Sequence, residues 1–430
     1  MQKVYVLNKD GNPLMPCSPA KARRLLDNSK AKVKQRTPFT IQLVYGSAGY
    51  RQSIILGVDA GSKTVGLSAG THEEELFAAN VILRNDVVKL LSTRREFRKV
   101  RRSRKTRYRQ PRFNNRIHSK YKGWIAPSVY VKITEHITAI RRVCSLLPVS
   151  KVIVETAEFD LQRMKAIQDS KSVPVGLDYQ RGEMYGYYNV RQYVLKRDRY
   201  TCQYCKKRPN VNCDVKFHVH HIESRKVGGN APDNLITLCS ICHAMLHKGL
   251  ISEKTFVNRR RHSTRDATFM GIMRKTLLQK LRLDIDIPVV ETKGYITKAT
   301  RVEIFNLSKS HVNDAFSIVY GIMGFNRISN YPIERTDRIY TIKPVRHHNR
   351  QLHKATVLKG GVRKNNQAPV YVKNFRLFDK VLFRGMECFV WGRRVTGYFL
   401  LRSITGEKIK DQVNAKYLKL LERSSSYLIN

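Results

Sequence analysis

Apolar residues fall in short runs whose period changes several times, which predicts several folded units rather than one. Residues 4–7, Val-Tyr-Val-Leu, read as a short strand. A turn at Asp10-Gly11-Asn12-Pro13, a basic helix over residues 20–28 and a second alternating run over 39–45 follow. This is a small β-rich N-terminal unit with one helix. Ile54-Ile55-Leu56-Gly57-Val58 reads as a buried strand, with Gly61-Ser62-Lys63 as the turn and 64–69 as the returning arm of a hairpin. Ile133, Ile137, Ile140, Cys144 and Leu147 recur at helical spacing until Pro148 ends that helix, and Val152-Ile153-Val154 reads as a buried strand. Residues 161–185 are polar with scattered Gly and Tyr and read as a linker, and a helix over 190–197 leads into the first cysteine pair. Residues 287–290 suggest a strand and 310–323 a helix. From about residue 330 the pattern becomes a series of short strands, at 340–345, 355–358, 370–372, 380–383, 387–391 and 397–402, which predicts a separate β-rich C-terminal domain. There is no tandem repeat.

Charge changes this picture most. The chain of 430 residues carries 81 Lys+Arg against 33 Asp+Glu, a net charge of +48. Its 42% hydrophobic content excludes a wholly disordered basic tail. So large an excess repels itself in a compact state and implies a polyanionic partner, nucleic acid foremost. A membrane partner would need a basic helix with a strong apolar face, and none is found. No apolar run is long enough to span a bilayer, and residues 1–10 lack the apolar region of a secretory signal, so a cytoplasmic location is expected. The excess is densest over residues 94–116, where Arg94, Arg95, Arg98, Arg101, Arg102, Arg104, Arg107, Arg109 and Arg112 are accompanied by one acid, Glu96. This window can be helical up to Tyr108 and has no apolar stripe, as expected of an arm that meets phosphates.

Cysteine and histidine spacing adds chemistry. Cys17, Cys144, Cys213 and Cys388 are scattered, whereas Cys202, Cys205, Cys239 and Cys242 form two Cys-x-x-Cys pairs. Four thiolates in that pattern suit a closed, structural tetrahedral Zn²⁺ site. Beside them, Phe217-His218-Val219-His220-His221-Ile222 reads as a strand with paired histidines, Asn234 follows a Gly-Gly-Asn turn, and His243 and His247 share one helical face. A His pair, an Asn and Cys-x-x-Cys-His in that order make the HNH endonuclease signature. By resemblance to that family, His221 is the general base, His220 and His243 hold Mg²⁺ with His247 as a further candidate, and Asn234 fixes the backbone behind the base.

Acids are scarce, so those ending apolar strands stand out. Asp59 ends the first buried strand, Glu155 ends Val152-Ile153-Val154, and Asp314 lies near the start of a helix in Ser-His-Val-Asn-Asp-Ala-Phe. Three carboxylates so placed would converge in an RNase H-like fold, where they could hold two Mg²⁺ ions ~3.5–4 Å apart, with His311 activating or positioning the water.

The order of these features (Asp, arginine-rich segment, Glu, HNH insertion, His-x-x-Asp) resembles a split RuvC nuclease and, within that class, the IscB family. Pro13-Leu14-Met15-Pro16 is similar to the short motif that marks IscB proteins, residues 57–64 to the first RuvC motif, Val154-Glu155 to the second and residues 311–315 to the third. A chain of 430 residues has no room for the helical recognition lobe of the larger CRISPR effectors. The resemblance implies a multidomain α/β protein. Its RNase H-like (RuvC) core would be split by an arginine-rich bridge helix and a zinc-stabilised HNH (ββα-metal) insertion. The corresponding spans are an N-terminal domain over 1–50, RuvC parts over 51–90, 121–180 and 256–328, the bridge helix over 91–120, HNH over 181–255, and a β-rich C-terminal domain over 329–430 that meets RNA and a target-adjacent motif. It further implies a monomer bound to a structured noncoding guide RNA, the ωRNA, acting on double-stranded DNA. The HNH unit would cut the guide-paired strand and the RuvC unit the displaced strand, with Mg²⁺ or Mn²⁺ in both sites and structural Zn²⁺. Two rivals are a guide-free HNH endonuclease of the homing type, which needs neither a split RuvC core nor an arginine bridge, and a non-catalytic RNA-binding protein with nuclease-like folds.

Overall fold

The computed structural model describes residues 3–46, 49–103, 124–156, 167, 172–173, 184, 186–209, 215–224, 230, 232–252, 255–256, 265–322, 333–346 and 369–430. The chain divides into two compact units, residues 1–158 with 269–430, and residues 159–268.

The first unit opens with β1 (Val4–Leu7), β2 (Pro13–Cys17), α1 (Pro19–Asp27), β3 (Ala31–Gln35) and β4 (Thr40–Leu43), in sheet order β2-β1-β4-β3. Pro13-Leu14-Met15-Pro16 therefore lies in an edge strand, where prolines remove no interior ladder bond. Ser18 caps α1 through its hydroxyl to the backbone N–H of Lys21. Val4, Val6, Leu14, Ala22, Ile41 and Leu43 form the small core.

The central layer begins with β5 (Ile54–Ala60), β6 (Thr64–Gly70) and β7 (Glu75–Ile82), an antiparallel meander. The third strand was not foreseen. α2 (Val87–Ser103) and α3 (Pro127–Cys144) follow, and then β8 (Val149–Glu155), which pairs parallel to β5. The residues that recur at helical spacing explain α3: Ile133, Ile140 and Val143 are buried against the sheet core with Leu56, Val58 and Val152.

The second unit contains α4 (Val190–Arg197), β9 (Phe217–His221), β10 (Leu235–Cys239) and α5 (Ser240–His247), with β9 and β10 antiparallel. Chain order then gives α6 (Arg265–Asp284), β11 (Val289–Thr292), α7 (Gly294–Ala299), a π-turn at Thr300–Ile304, α8 (His311–Ile322) and β12 (Ile339–Pro344). The five-stranded sheet is β13 (Lys380–Phe383), β14 (Met386–Arg393), β15 (Tyr398–Arg402), β16 (Lys408–Asn414) and β17 (Lys419–Glu422), in order β16-β15-β14-β13-β17, and β18 (Tyr427–Ile429) ends the chain.

One expectation needs correcting. The apolar run at 340–345 reads as part of the C-terminal sheet, but β12 pairs parallel to β7, and β18 pairs antiparallel to β12. The central sheet thus has seven strands, in order β11-β8-β5-β6-β7-β12-β18. Apolar alternation identifies a strand but not its sheet, and Phe77 stacking on Tyr340 (centroids 5.5 Å apart) binds β12 to the meander. The run at 370–372 is a single bridge, Val372 with Phe375, and 355–358 lies outside the described residues. Among the described residues no helix is long and apolar enough to cross a membrane.

Two glycines bring α8 onto the meander. A Cβ on Gly57 would lie 2.4 Å from the carbonyl oxygen of Ala315, and one on Gly66 would lie 1.9 Å from that of His311. Both obstacles are backbone, so only glycine permits this approach.

Candidate functional site

The sheet and α8 build the first cluster. Asp59 on β5 and Glu155 on β8 are register neighbours in the parallel pair. His311 and Asp314 occupy the first turn of α8, which Gly66 holds against the sheet. His311 Nδ1 lies 2.5 Å from Asp59 Oδ2, and this bond raises the His311 pKa, with the charges of Asp59 and Asp314 adding to it against burial. Burial pushes Glu155 up to about 7, and the negative charges of Asp59 and Asp314 push the same way. Burial and Asp59 likewise raise Asp314, opposed by Arg301. The Oε2 atom of Glu155 is buried with no hydrogen-bond partner among the described residues. Glu155 and Asp314, both held above the usual carboxylate range beside Asp59 and one with an orphaned oxygen, suit a divalent cation.

Sequence reasoning missed three neighbours of this cluster. Arg301, in the π-turn, sets Nε 2.7 Å from Asp314 Oδ1 and donates from Nη1 to the carbonyl of Leu307. Gly294 approaches Glu155 so closely that a Cβ there would lie 2.9 Å from Oε1. His136 on α3 is fully buried, its ring nitrogens 2.7 Å from the Lys132 carbonyl and 3.1 Å from that of Gly61, and burial lowers its pKa to about 4. It supports the turn after Asp59. None of the three had a sequence signal, because a lone Arg, Gly or His gains meaning only through the tertiary contact.

The second unit builds the other cluster. In β9, His218 and His220 project to one face and His221 to the other, by strand alternation. On α5, His243 and His247 are one turn apart, with their Nε2 atoms 3.3 Å from each other. The His220 ring lies 5.3 Å from each of them, and His218 stacks on His243 at 4.7 Å. His218 was not among the expected residues, although its i,i+2 relation to His220 was a usable signal. Burial lowers the His243 pKa, helped by His247 and His218. His221 Nε2 lies 2.9 Å from Asn230 Oδ1. Asn234 is fully buried; its Oδ1 accepts from the Glu223 N–H at 2.8 Å and its Nδ2 donates to the Glu223 carbonyl at 3.0 Å. It therefore fixes the chain just beyond His221.

Two sets of side chains among the described residues bring all their ligand atoms within 4.8 Å of one another: Cys202, Cys205, Cys239 and Cys242, and His220, His243 and His247. Asp59, Glu155 and Asp314 are not such a set; His311 and Arg301 bind two of the three carboxylates. The Cys205 and Cys239 sulfurs are 3.7 Å apart. That fits the edge of roughly 3.8 Å of a tetrahedron whose Zn–S bonds are about 2.3 Å. Burial raises the Cys202 pKa, but backbone N–H donors in the two knuckles outweigh it and bring the thiol down to about 7, which favours the thiolate.

In the arginine-rich segment, Arg94, Arg95 and Arg98 are exposed on α2, and Arg101 and Arg102 fall within it. Arg104, Arg107, Arg109 and Arg112 lie outside the described residues.

Residues 4–182 match the family of RRXRR proteins, and residues 202–249 match the HNH endonuclease family. Together the two matches support the IscB-type reading of the chain. The HNH match spans both cysteine knuckles and the histidine cluster, so the second unit carries an HNH endonuclease domain. No curated protein matches it. Among solved structures it is similar to Streptococcus thermophilus Cas9 in complex with the AGAA PAM, at 12% identity and a TM-score of 0.32, covering 54% of this chain and 30% of that one. A second is the Type II-C Cas9 enzyme from Actinomyces naeslundii, at 11% identity and a TM-score of 0.21, covering 63% of this chain and 60% of that one. The chain therefore spans less than two thirds of the length of either.

Proposed function

We propose that this IscB-type protein is an RNA-guided, metal-dependent DNA endonuclease. It acts as a monomer in a cytoplasmic ribonucleoprotein and cuts the guide-paired strand with its HNH unit and the displaced strand with a RuvC-type site. The observation that carries the reading is the presence of two separate clusters of titratable and polar side chains in one strongly basic chain: Asp59, Glu155, His311 and Asp314 on the seven-stranded sheet, and His220, His221, Asn234, His243 and His247 in the second unit. The meander β5-β6-β7 flanked by parallel β8 and β11, with carboxylates on the two adjacent inner strands, supports an RNase H-like core split by the second unit.

Bound divalent cations would supply positive charge on the scissile phosphate and acidify an attacking water. In the sheet site Asp59, Glu155 and Asp314 would hold Mg²⁺ or Mn²⁺. The Nδ1–Asp59 bond fixes the His311 ring and leaves Nε2 to take or return a proton. In the HNH site, three imidazoles suit Mn²⁺ or a later transition ion better than Mg²⁺, which prefers oxygen. His221, on the opposite face of β9, is oriented by Asn230 and placed by Asn234 to act as general base. The four cysteines would hold structural Zn²⁺. Guanidinium groups of α2 grip nucleic-acid phosphates in pairs, and base pairing with the guide RNA supplies sequence choice next to a target-adjacent motif.

Strand-specific nicking tests this assignment. Asp59→Ala is expected to cut only the guide-paired strand and His221→Ala only the displaced strand. Continued double-strand cutting by either variant overturns the assignment of that site.

A further inference from the structure

Arg197, the last residue of α4, uses four bonds in a way the nuclease residues alone do not explain. Nε and Nη2 grip the carboxylate of Asp198 at 2.8 and 3.1 Å. Nη1 donates to the carbonyl of Pro232 at 2.7 Å and Nη2 also to that of Leu235 at 2.8 Å. These two carbonyls bracket Asn234, so the guanidinium spans the turn that presents it. Asn234 in turn accepts the Ile222 N–H on its own carbonyl at 2.9 Å and pairs its amide with both backbone groups of Glu223. Asp198 completes the brace from the other side: its Oδ2 accepts the Thr237 N–H at 3.0 Å, two residues before Cys239. A planar, bidentate cation can hold a carboxylate and two divergent carbonyls at once; a lysine ammonium cannot match that fork.

We propose that Arg197, oriented by Asp198, is a positioning residue for cutting by the HNH unit. It braces the 232–235 turn so that Asn234 locks the chain after His221 and holds the general base in register with the His220, His243 and His247 cluster. The proposal rests on the HNH reading above and extends it to a pair outside the catalytic cluster.

The test is a double-mutant cycle on the ribonucleoprotein with its copurified RNA and Mn²⁺, following cleavage of the guide-paired strand of a matched duplex. Arg197→Gln is expected to slow that cut on the order of 10²-fold, leaving DNA affinity, zinc content and displaced-strand cutting as in the parent. Arg197→Lys is expected to recover part of the rate. Arg197→Gln combined with Asn234→Ala should be no slower than Asn234→Ala alone, because the two act through one turn. Should Arg197→Gln lose zinc, Arg197→Lys decides the matter, since it keeps the charge beside Asp198 and loses only the span. A parental rate in the glutamine variant with zinc retained, a parental rate in the lysine variant, or additive losses in the cycle overturns the proposal. Failure of the HNH reading is separate: His221→Ala would then leave the guide-paired cut intact.

Discussion

Replacing Gly66 by Ala perturbs the proposed RuvC-type site through one atom. The added Cβ would sit 1.9 Å from the carbonyl oxygen of His311, and ordinary van der Waals contact begins near 3.4 Å. The obstacle is helix backbone, so α8 must retreat by about 1.5 Å, an overpacking that destabilises by roughly 1–3 kcal/mol. His311 and Asp314 lie in the first turn of that helix, and His311 would be drawn from its 2.5 Å bond to Asp59. A misplacement near 1 Å lowers a rate on the order of 10²-fold. Cleavage of a matched duplex carrying a different label on each strand reads both cuts in one lane, and the HNH cut serves as the internal control. The expected result is a protein that still cuts the guide-paired strand at the parental rate and cuts the displaced strand at least ~100-fold more slowly. Parental cutting of both strands would refute the claim that close approach of α8 builds the site.

Other consequences reach different parts of the molecule. Cys239→Ser keeps an oxygen to cap α5 in place of the sulfur that accepts from the Cys242 N–H, so its effect reports metal ligation; zinc content should fall and the second unit should melt, as seen by metal analysis and hydrogen exchange. Glu135→Gln should stabilise the protein at alkaline pH. Burial raises the Glu135 pKa from 4.5 to about 7, so its contribution is fully present below pH 4.5 and is lost as pH rises through 7. The carboxylate costs on the order of 3 kcal/mol at pH 8, while Gln can still accept from the Arg84 N–H; denaturant unfolding at pH 5 and pH 8 should show the gain only at the higher pH. Exchanging Mg²⁺ for Mn²⁺ should speed the HNH cut more than the other, because one site offers imidazole nitrogens and the other carboxylates. Equal acceleration of both cuts contradicts that division.

Local chemistry was legible in the sequence, and long-range pairing was not. The strand at 4–7, the helix at 190–197 and the β5–β6 hairpin follow from apolar period and turn residues that act over a few positions. The two knuckles and the histidine cluster are visible because a set of side chains able to hold a metal needs residue type and spacing together. β12 was misplaced because its partner β7 lies some 260 residues away in sequence and its own pattern names no sheet. Scarcity of acid singles out Asp59, Glu155 and Asp314 as candidates, yet nothing in the sequence points to Arg301 on Asp314 or His136 beneath the Gly61 turn. An arginine is unremarkable among 81 basic residues until a contact singles it out. Arg197 was hidden for the same reason.

The central claim is that RNA directs two cuts by one chain. The direct measurement is to purify the protein with its RNA, sequence that RNA, and incubate the complex and a divalent cation with DNA that matches its variable end and with DNA that does not. The account predicts one dominant structured RNA, cleavage of both strands of the matched DNA alone, and loss of cleavage after ribonuclease treatment. Cutting of a fixed site that survives ribonuclease, or no cutting of the matched DNA in either Mg²⁺ or Mn²⁺, would contradict it.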